Sequence, residues 1–94
     1  MSNSFALHAI VHGQVQGVFF RAFVTRKAIE LRLTGYVRNL PSGEDVEVHA
    51  EGEKEKLNTM VDYLKIGPPA AMVEKVITTW SKHTGKYSDF EVKA

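Results

Sequence analysis

A nine-residue stretch from Gly13 to Arg21 contains the residue types that a binding site for an anion requires. Gly13 and Gly17 allow the backbone to turn sharply and allow a ligand to approach the peptide groups closely. Successive N–H groups in such a turn can converge on one anion, and a following helix adds unpaired N–H groups at its N-terminus. Arg21 supplies a planar fork of donors that fits phosphate or carboxylate. These features together point to one bound small anion; the alternative is an ordinary connecting loop, since many loops with two glycines between a strand and a helix bind nothing.

The residues on either side indicate that this stretch is a loop between a strand and a helix. Alternation from Phe5 to His12 predicts a strand whose odd-numbered residues face the core. His8 and His12 then lie on the other face, where a pair without a third ligand favours an open sheet face over a metal site. A helix-period run follows from about Arg21 to Leu33. The side chains expected to face the sheet are those of Phe20, Val24, Ala28 and Leu31.

The rest of the chain predicts four more strands and a second helix. The strands are Tyr36–Leu40, Asp45–Glu51, Met72–Trp80 with a bulge near Glu74-Lys75, and a short one at Phe90 and Val92. The second helix has an apolar stripe of Leu57, Met60, Val61 and Leu64, acids (Glu51, Glu53 and Glu55) near its start, and Gly67-Pro68-Pro69 at its end. This order, β-α-β-β-α-β plus an extra strand, predicts an α+β ferredoxin-like split βαβ sandwich with two helices on one face of an antiparallel sheet.

Composition limits the classes of function. The 94 residues predict one domain spanning 1–94, and the absence of cysteine excludes disulfides and thiolate metal sites. No apolar stretch is long enough to span a bilayer, and the polar segment Met1–Ser4 is not a signal peptide, so we expect a cytoplasmic protein without a membrane partner. A net charge of +1 argues against a nucleic-acid partner. Residues 1–43 nevertheless hold five basic side chains and one acidic one, which favours attraction of an anion.

The stretch from Gly13 to Arg21 resembles the first signature of the acylphosphatase family, Gly-x-Val-Gln-Gly-Val-x-Phe-Arg, at every fixed position. A second stretch, Gly35 to Asn39, resembles the second signature and lies the expected distance downstream. The similarity extends from about Leu7 to Val92. It implies a ferredoxin-like fold and an enzyme that hydrolyses acyl phosphates to a carboxylate and inorganic phosphate. Inorganic phosphate would then be both a product and a competitive inhibitor.

The resemblance also implies which residues carry the reaction. Arg21 would bind the phosphate, and Asn39 would position the attacking water, on a strand that neighbours the first strand in the sheet. Gln16 and Phe19 would shape the loop. The backbone N–H groups expected to cradle the phosphate are those of Val15, Gln16, Gly17, Val18, Phe19 and Phe20.

The residue types fit this chemistry. Asparagine can orient a water but is no general base near neutral pH, and no other clear base lies beside the loop. The leaving group of an acyl phosphate is a carboxylate, which departs without protonation, so no general acid is needed. Phosphoryl transfer needs mainly positioning and charge stabilisation, which N–H groups and one arginine can give. We therefore expect no metal and no cofactor, and a small acyl phosphate as the substrate. The oligomeric state does not follow from this chemistry, and we expect a monomer.

Two positions depart from the family pattern. The hairpin after Asn39 carries one extra residue before Val46, and Arg32 stands where the family commonly has a glycine that ends the first helix. Arg32 is then strained in the left-handed region, or the helix ends differently.

Two alternatives to a free-standing enzyme are kept. One is a non-catalytic module of the same fold that binds a small phosphorylated ligand, or a macromolecule across the open sheet face. RNA recognition is disfavoured because the third strand is acidic and lacks aromatic platforms. The other is a carbamoyl-phosphate domain of a larger protein, since such domains can share both signatures.

Overall fold

The computed structural model describes residues 3–94, so the segment Met1–Ser4, predicted not to be a signal peptide, lies partly outside the described residues. The described chain forms β1 (Ser4–Gln14), α1 (Phe20–Glu30), β2 (Thr34–Asn39), β3 (Val46–Glu53), α2 (Lys54–Ile66), β4 (Met72–Lys82) and β5 (Phe90–Lys93). The predicted order of elements and the α+β ferredoxin-like class are confirmed. Neither helix of the described chain is long and apolar enough to cross a membrane.

The five strands form one sheet in the order β4-β1-β3-β2-β5. β1 and β2 both pair antiparallel with β3, and β4 pairs antiparallel with β1. β5 pairs parallel with β2, so the sheet is mixed and not antiparallel throughout as predicted. The cause is the connection from β4, which crosses to the far edge and starts β5 at the end where β2 also starts. The prediction that β1 and β2 are neighbours is wrong, because β3 lies between them.

The core lies between one face of the sheet and the two helices. α1 packs on β2 and β5, α2 packs on β1, β3 and β4, and the helices touch each other. The predicted stripes are confirmed, with Leu31 and Val61 only partly buried. The fully buried helix residues are Phe20, Val24, Ala28, Leu57, Met60 and Leu64. Odd-numbered residues of β1 and even-numbered residues of β3 face these helices, in agreement with a strand period of two.

The other face of the sheet carries ion pairs. His8 Nε2 contacts a Glu47 carboxylate oxygen at 2.7 Å, and Arg38 donates to the same carboxylate. Burial alone would raise the pKa of Glu47, but these two partners hold it below its ordinary value. His12 lies 3.1 Å from Asp45. The two histidines therefore lie on the open face as predicted, each beside its own carboxylate.

A buried carboxylate fastens the connection between β4 and β5 to the sheet. The side chain of Glu51, in β3, accepts hydrogen bonds from the backbone N–H groups of Thr84 and Gly85, from the Thr84 hydroxyl and from His49 Nε2. These donors outweigh the effect of burial and lower the pKa of Glu51 from 4.5 to about 2. Glu51 was predicted to favour the start of α2 by its charge. That prediction is wrong, because its side chain is committed to this connection.

Both departures from the family pattern are accommodated locally. In the hairpin, the Ser42 hydroxyl accepts from the N–H groups of Glu44 and Asp45, and Asn39 still pairs with Val46. Asn39 therefore keeps a paired position at the end of β2 despite the extra residue.

Arg32 has φ 59° and occupies the left-handed position just after α1. The Leu33 N–H donates to the Ala28 carbonyl and the Arg32 N–H to that of Ile29, which is the Schellman arrangement that usually employs glycine. The helix ends where a glycine would end it, with a strained arginine in that place. The predicted bulge in β4 is also present, since the register with β1 shifts by one residue at Glu74.

Candidate active site

The loop between β1 and α1 leaves its backbone donors unused. Gly17 has φ 73° and Phe19, the N-cap of α1, has φ 61°, both in the left-handed region. No side chain caps the helix. Within the described chain, none of the backbone N–H groups from Gln16 to Ala22 donates to a protein acceptor. Left-handed turns bring successive N–H groups together, so this loop and helix end present unused donors of the kind that can bind an anion.

The side chain of Gln16 ties this loop to the hairpin between β2 and β3. Its Nε2 donates to the carbonyl oxygens of Leu40 (2.9 Å) and Asp45 (2.8 Å), the residues that open and close the turn. The loop thus reaches across the end of β3 to β2. This link explains why Asn39 lies beside the loop although β1 and β2 are not adjacent strands.

Asn39 is the last residue of β2 and lies on the face that carries the helices. Val37 in the same strand is wholly buried in the core, and Asn39 shares its face by the period of two. Its Oδ1 is buried and makes no hydrogen bond within the described chain. A buried polar atom without a partner costs stability and is typical of functional positions. The amide can accept a hydrogen bond from a bound water through Oδ1 and donate a hydrogen bond to a second group through its NH₂.

A cavity of about 360 Å³ brings these groups together. It is lined by Val15, Gly17, Phe19, Phe20, Arg21, Ala22, Asn39 and Val92. This lining contains no carboxylate and no imidazole, and Arg21 forms no ion pair with any described residue. The cavity therefore offers an unpaired guanidinium, the backbone donors of a helix N-terminus and one buried amide oxygen.

The cavity gathers most of the residues that the sequence singled out, but not all. Gln16 and Val18 do not line it: Gln16 acts through the hairpin, and Val18 packs against the core. Two lining residues were missed. Ala22 could have been found, because it follows Arg21 in the first turn of α1. Val92 could not, because it reaches the cavity only through the parallel pairing of Val37 with Val92.

Comparison with known proteins finds similar proteins that share one family name. The model of the acylphosphatase family matches residues 7–92. An acylphosphatase of Dehalococcoides mccartyi is 51% identical over 87 residues, which are 93% of this chain and 96% of that protein. The structure of an acylphosphatase from Coxiella burnetii superposes with a TM-score of 0.90 at 45% identity, over 97% of this chain and 94% of that one.

The fold and the cavity define an α+β protein of the ferredoxin-like class with unused backbone donors at a helix N-terminus, and the family match narrows this class to one family. The chain belongs to the acylphosphatase family. The predicted family is thereby confirmed, and so is the interpretation of the chain as an acylphosphatase, a hydrolase. The non-catalytic alternative is not favoured.

A larger protein contains a similar unit. The structure of full-length HypF in a phosphate- and nucleotide-bound form superposes with a TM-score of 0.85 at 28% identity, over 97% of this chain and 12% of that one. This fold therefore also occurs within longer chains. The single-domain organisation over 1–94 and the cytoplasmic location stay predictions.

Proposed function

We propose that this protein hydrolyses acyl phosphates at the cavity described above, without a metal ion, with Arg21 and the loop N–H groups holding the phosphate and Asn39 positioning the water. The observation that carries the proposal is the buried, unpartnered Oδ1 of Asn39 in the same cavity as the unpaired guanidinium of Arg21. A water molecule positioned to attack a bound phosphate could donate a hydrogen bond to this Oδ1 and so give it the partner that it lacks.

The reaction balances with these groups alone. The water oxygen attacks phosphorus, the bond from phosphorus to the bridging oxygen breaks, and its electron pair leaves with the carboxylate. One proton of the water stays on the new P–OH group, and the other passes to a phosphate oxygen, giving dihydrogen phosphate. Negative charge on the equatorial oxygens is stabilised by Arg21 and by the free N–H groups of the loop. The amide of Asn39 fixes the direction from which the water attacks. Holding two reactants in the correct geometry accounts for a large part of the rate enhancement in enzymes.

The first experiment measures hydrolysis of acetyl phosphate by the purified protein in the presence of a strong chelator. We expect full activity, with inorganic phosphate as a competitive inhibitor. Loss of activity with chelator and its return with a divalent ion would contradict the metal-free mechanism.

The second experiment separates the roles of the two side chains. Arg21→Ala should weaken the competitive inhibition by phosphate and nearly abolish turnover, because Arg21 contacts the anion throughout the reaction. Asn39→Ala should change phosphate inhibition little and lower kcat by about 10² or more, because the water is not part of the bound anion.

Matched controls exist in the same chain. Arg32→Ala removes an arginine at the other end of α1, and Asn58→Ala removes an exposed asparagine of α2; both should keep parental kinetics. Thermal unfolding of each variant shows whether the fold survives. Full turnover in Asn39→Ala would exclude the water-positioning role. Phosphate binding without turnover of any acyl phosphate in the parent would favour the binding module.

A further inference from the structure

A second cavity continues from the candidate active site along the outer face of α1. It has a volume of about 490 Å³ and is lined by Ala22, Thr25, Arg26, Ile29, Glu30 and Val92. Ala22 and Val92 line both cavities, so the two are contiguous at the N-terminal turn of the helix. We call this second cavity the α1–β5 groove.

Much of the lining of the α1–β5 groove is exposed apolar surface. Ile29 is 61% exposed and Val92 46% exposed, although both are large hydrophobic residues. Two of the three polar side chains around them have partners elsewhere: the Thr25 hydroxyl donates to the Arg21 carbonyl at 2.8 Å, and Glu30 lies 3.7 Å from Lys27. The third, Arg26, forms no ion pair with any described residue. Exposed apolar side chains that border a ligand site are typical of a surface that binds the ligand.

The geometry matches the shape of an acyl phosphate. The phosphate would lie at the N-terminus of α1, and the rest of the substrate has to leave the cavity on one side. Ala22 and Ile29 are seven residues apart, so a chain lying along the helix between them covers about 10 Å, the length of roughly eight extended carbons.

Another cavity also borders the candidate active site. A cavity of about 350 Å³ is lined in part by Phe19, Ala22, Phe23 and Pro69, on the side of the helix that faces the end of α2. It does not include Val92, and its lining carries more polar surface than that of the α1–β5 groove. An apolar chain therefore gains more by lying in the α1–β5 groove.

We infer that the α1–β5 groove is the subsite for the acyl group, and that this protein prefers acyl phosphates with straight apolar chains of medium length over acetyl phosphate. The inference rests on the proposed hydrolysis of acyl phosphates. Val92 contacts the first carbons of the chain, and Ile29 contacts its far end. The two-carbon group of acetyl phosphate ends before Ile29.

The experiment compares kcat/KM for acetyl, butanoyl, hexanoyl and octanoyl phosphate. Straight-chain carboxylates have nearly the same basicity, so the leaving group is constant and the comparison reports binding of the chain. Partial burial of each added methylene should raise kcat/KM about twofold, so octanoyl phosphate should exceed acetyl phosphate by at least about tenfold. Equal values across the series would overturn the inference, whereas hydrolysis of all four would still support the proposed reaction.

A pair of variants locates the effect. Ile29→Gln should lower the ratio of octanoyl to acetyl activity several-fold and leave acetyl phosphate hydrolysis unchanged. Ile66→Gln is the matched control, because Ile66 is 73% exposed near the end of α2 and lines neither cavity. The same loss in both variants, or in neither, would contradict the assignment. A loss produced instead by Pro69→Ser would assign the chain to the cavity that Phe19 and Pro69 line and also overturn it.

A measurement of binding alone tests the acyl subsite independently of whether the protein hydrolyses acyl phosphates. Methylphosphonate and octylphosphonate are not hydrolysed, and their dissociation constants can be measured by calorimetry. Binding of octylphosphonate at least about tenfold tighter, reduced in Ile29→Gln but not in Ile66→Gln, supports the subsite whether or not acyl phosphates turn over. Equal affinities for the two phosphonates overturn it.

Discussion

Replacing Glu51 by glutamine tests how strongly one carboxylate holds the β4–β5 connection. Oε1 accepts from two backbone N–H groups, and Oε2 accepts from the Thr84 hydroxyl and from His49. A glutamine can keep all four hydrogen bonds, because the hydroxyl can rotate and the imidazole can change tautomer to accept from the new NH₂ group. Glu51→Gln therefore removes the negative charge while preserving the shape and the hydrogen bonds.

The magnitude follows from the pKa of the carboxyl group. Glu51 has a pKa of about 2 in the folded protein against an ordinary value of 4.5. Between these values the unfolded chain takes up a proton that the folded chain does not, so the free energy of unfolding falls as the pH falls. The difference corresponds to about 3 kcal/mol at pH 7 and to less than half of that at pH 3.

The assay is urea unfolding of the parent and of Glu51→Gln at a series of pH values from 7 down to 3. We expect the variant to be less stable by up to about 3 kcal/mol at pH 7, and the two curves to converge as the pH falls. Glu91→Gln, at an exposed position of β5, should stay within about 0.5 kcal/mol of the parent throughout. A gap between parent and Glu51→Gln that does not depend on pH would refute the role of the charge.

Three further predictions concern the backbone and the loop. Arg32→Gly should raise the free energy of unfolding by somewhat less than about 1 kcal/mol relative to Arg32→Ala, because only glycine relieves the left-handed strain; a lower melting temperature would contradict this. Gly35→Ala should be destabilised by several kcal/mol or fail to fold, because its Cβ would collide with the His49 carbonyl oxygen; near-parental stability in urea would show that β2 and β3 can separate. Gln16→Ala should lower kcat for acetyl phosphate more than it raises KM, because the loop loses its two hydrogen bonds to the hairpin that carries Asn39. Unchanged kinetics would mean that the loop holds its shape alone.

The sequence predicted those parts of the structure that depend on local pattern. The stripes on α1 and α2, the odd-numbered core face of β1 and the bulge at Glu74 follow from periodicity within single elements. Arg21 was singled out by its residue type after the glycine loop and Asn39 by the resemblance, and the structure puts both in one cavity.

The features that the sequence did not reveal depend on pairing between distant segments. The parallel pairing of β5, and with it the place of Val92, depends on where a long connection crosses the sheet. The hydrophobic periodicity of each strand likewise does not show that β3 lies between β1 and β2. The sequence placed Glu51 among the acidic residues near the start of α2. Its hydrogen-bond partners, Thr84 and Gly85, are more than thirty residues away along the chain, so no local pattern indicates them.

The donors that the loop between β1 and α1 offers belong to the main chain, and this has a consequence for how the loop tolerates mutation. A peptide N–H is present whatever the side chain, so replacing Val18 by alanine would remove none of the donors between Gln16 and Ala22. The position of these donors depends on the backbone torsion angles of the loop, above all on the positive φ values of Gly17 and Phe19. The loop can therefore change in sequence and keep the same backbone donors as long as these torsion angles are kept, and proline is the one residue type that deletes a donor outright.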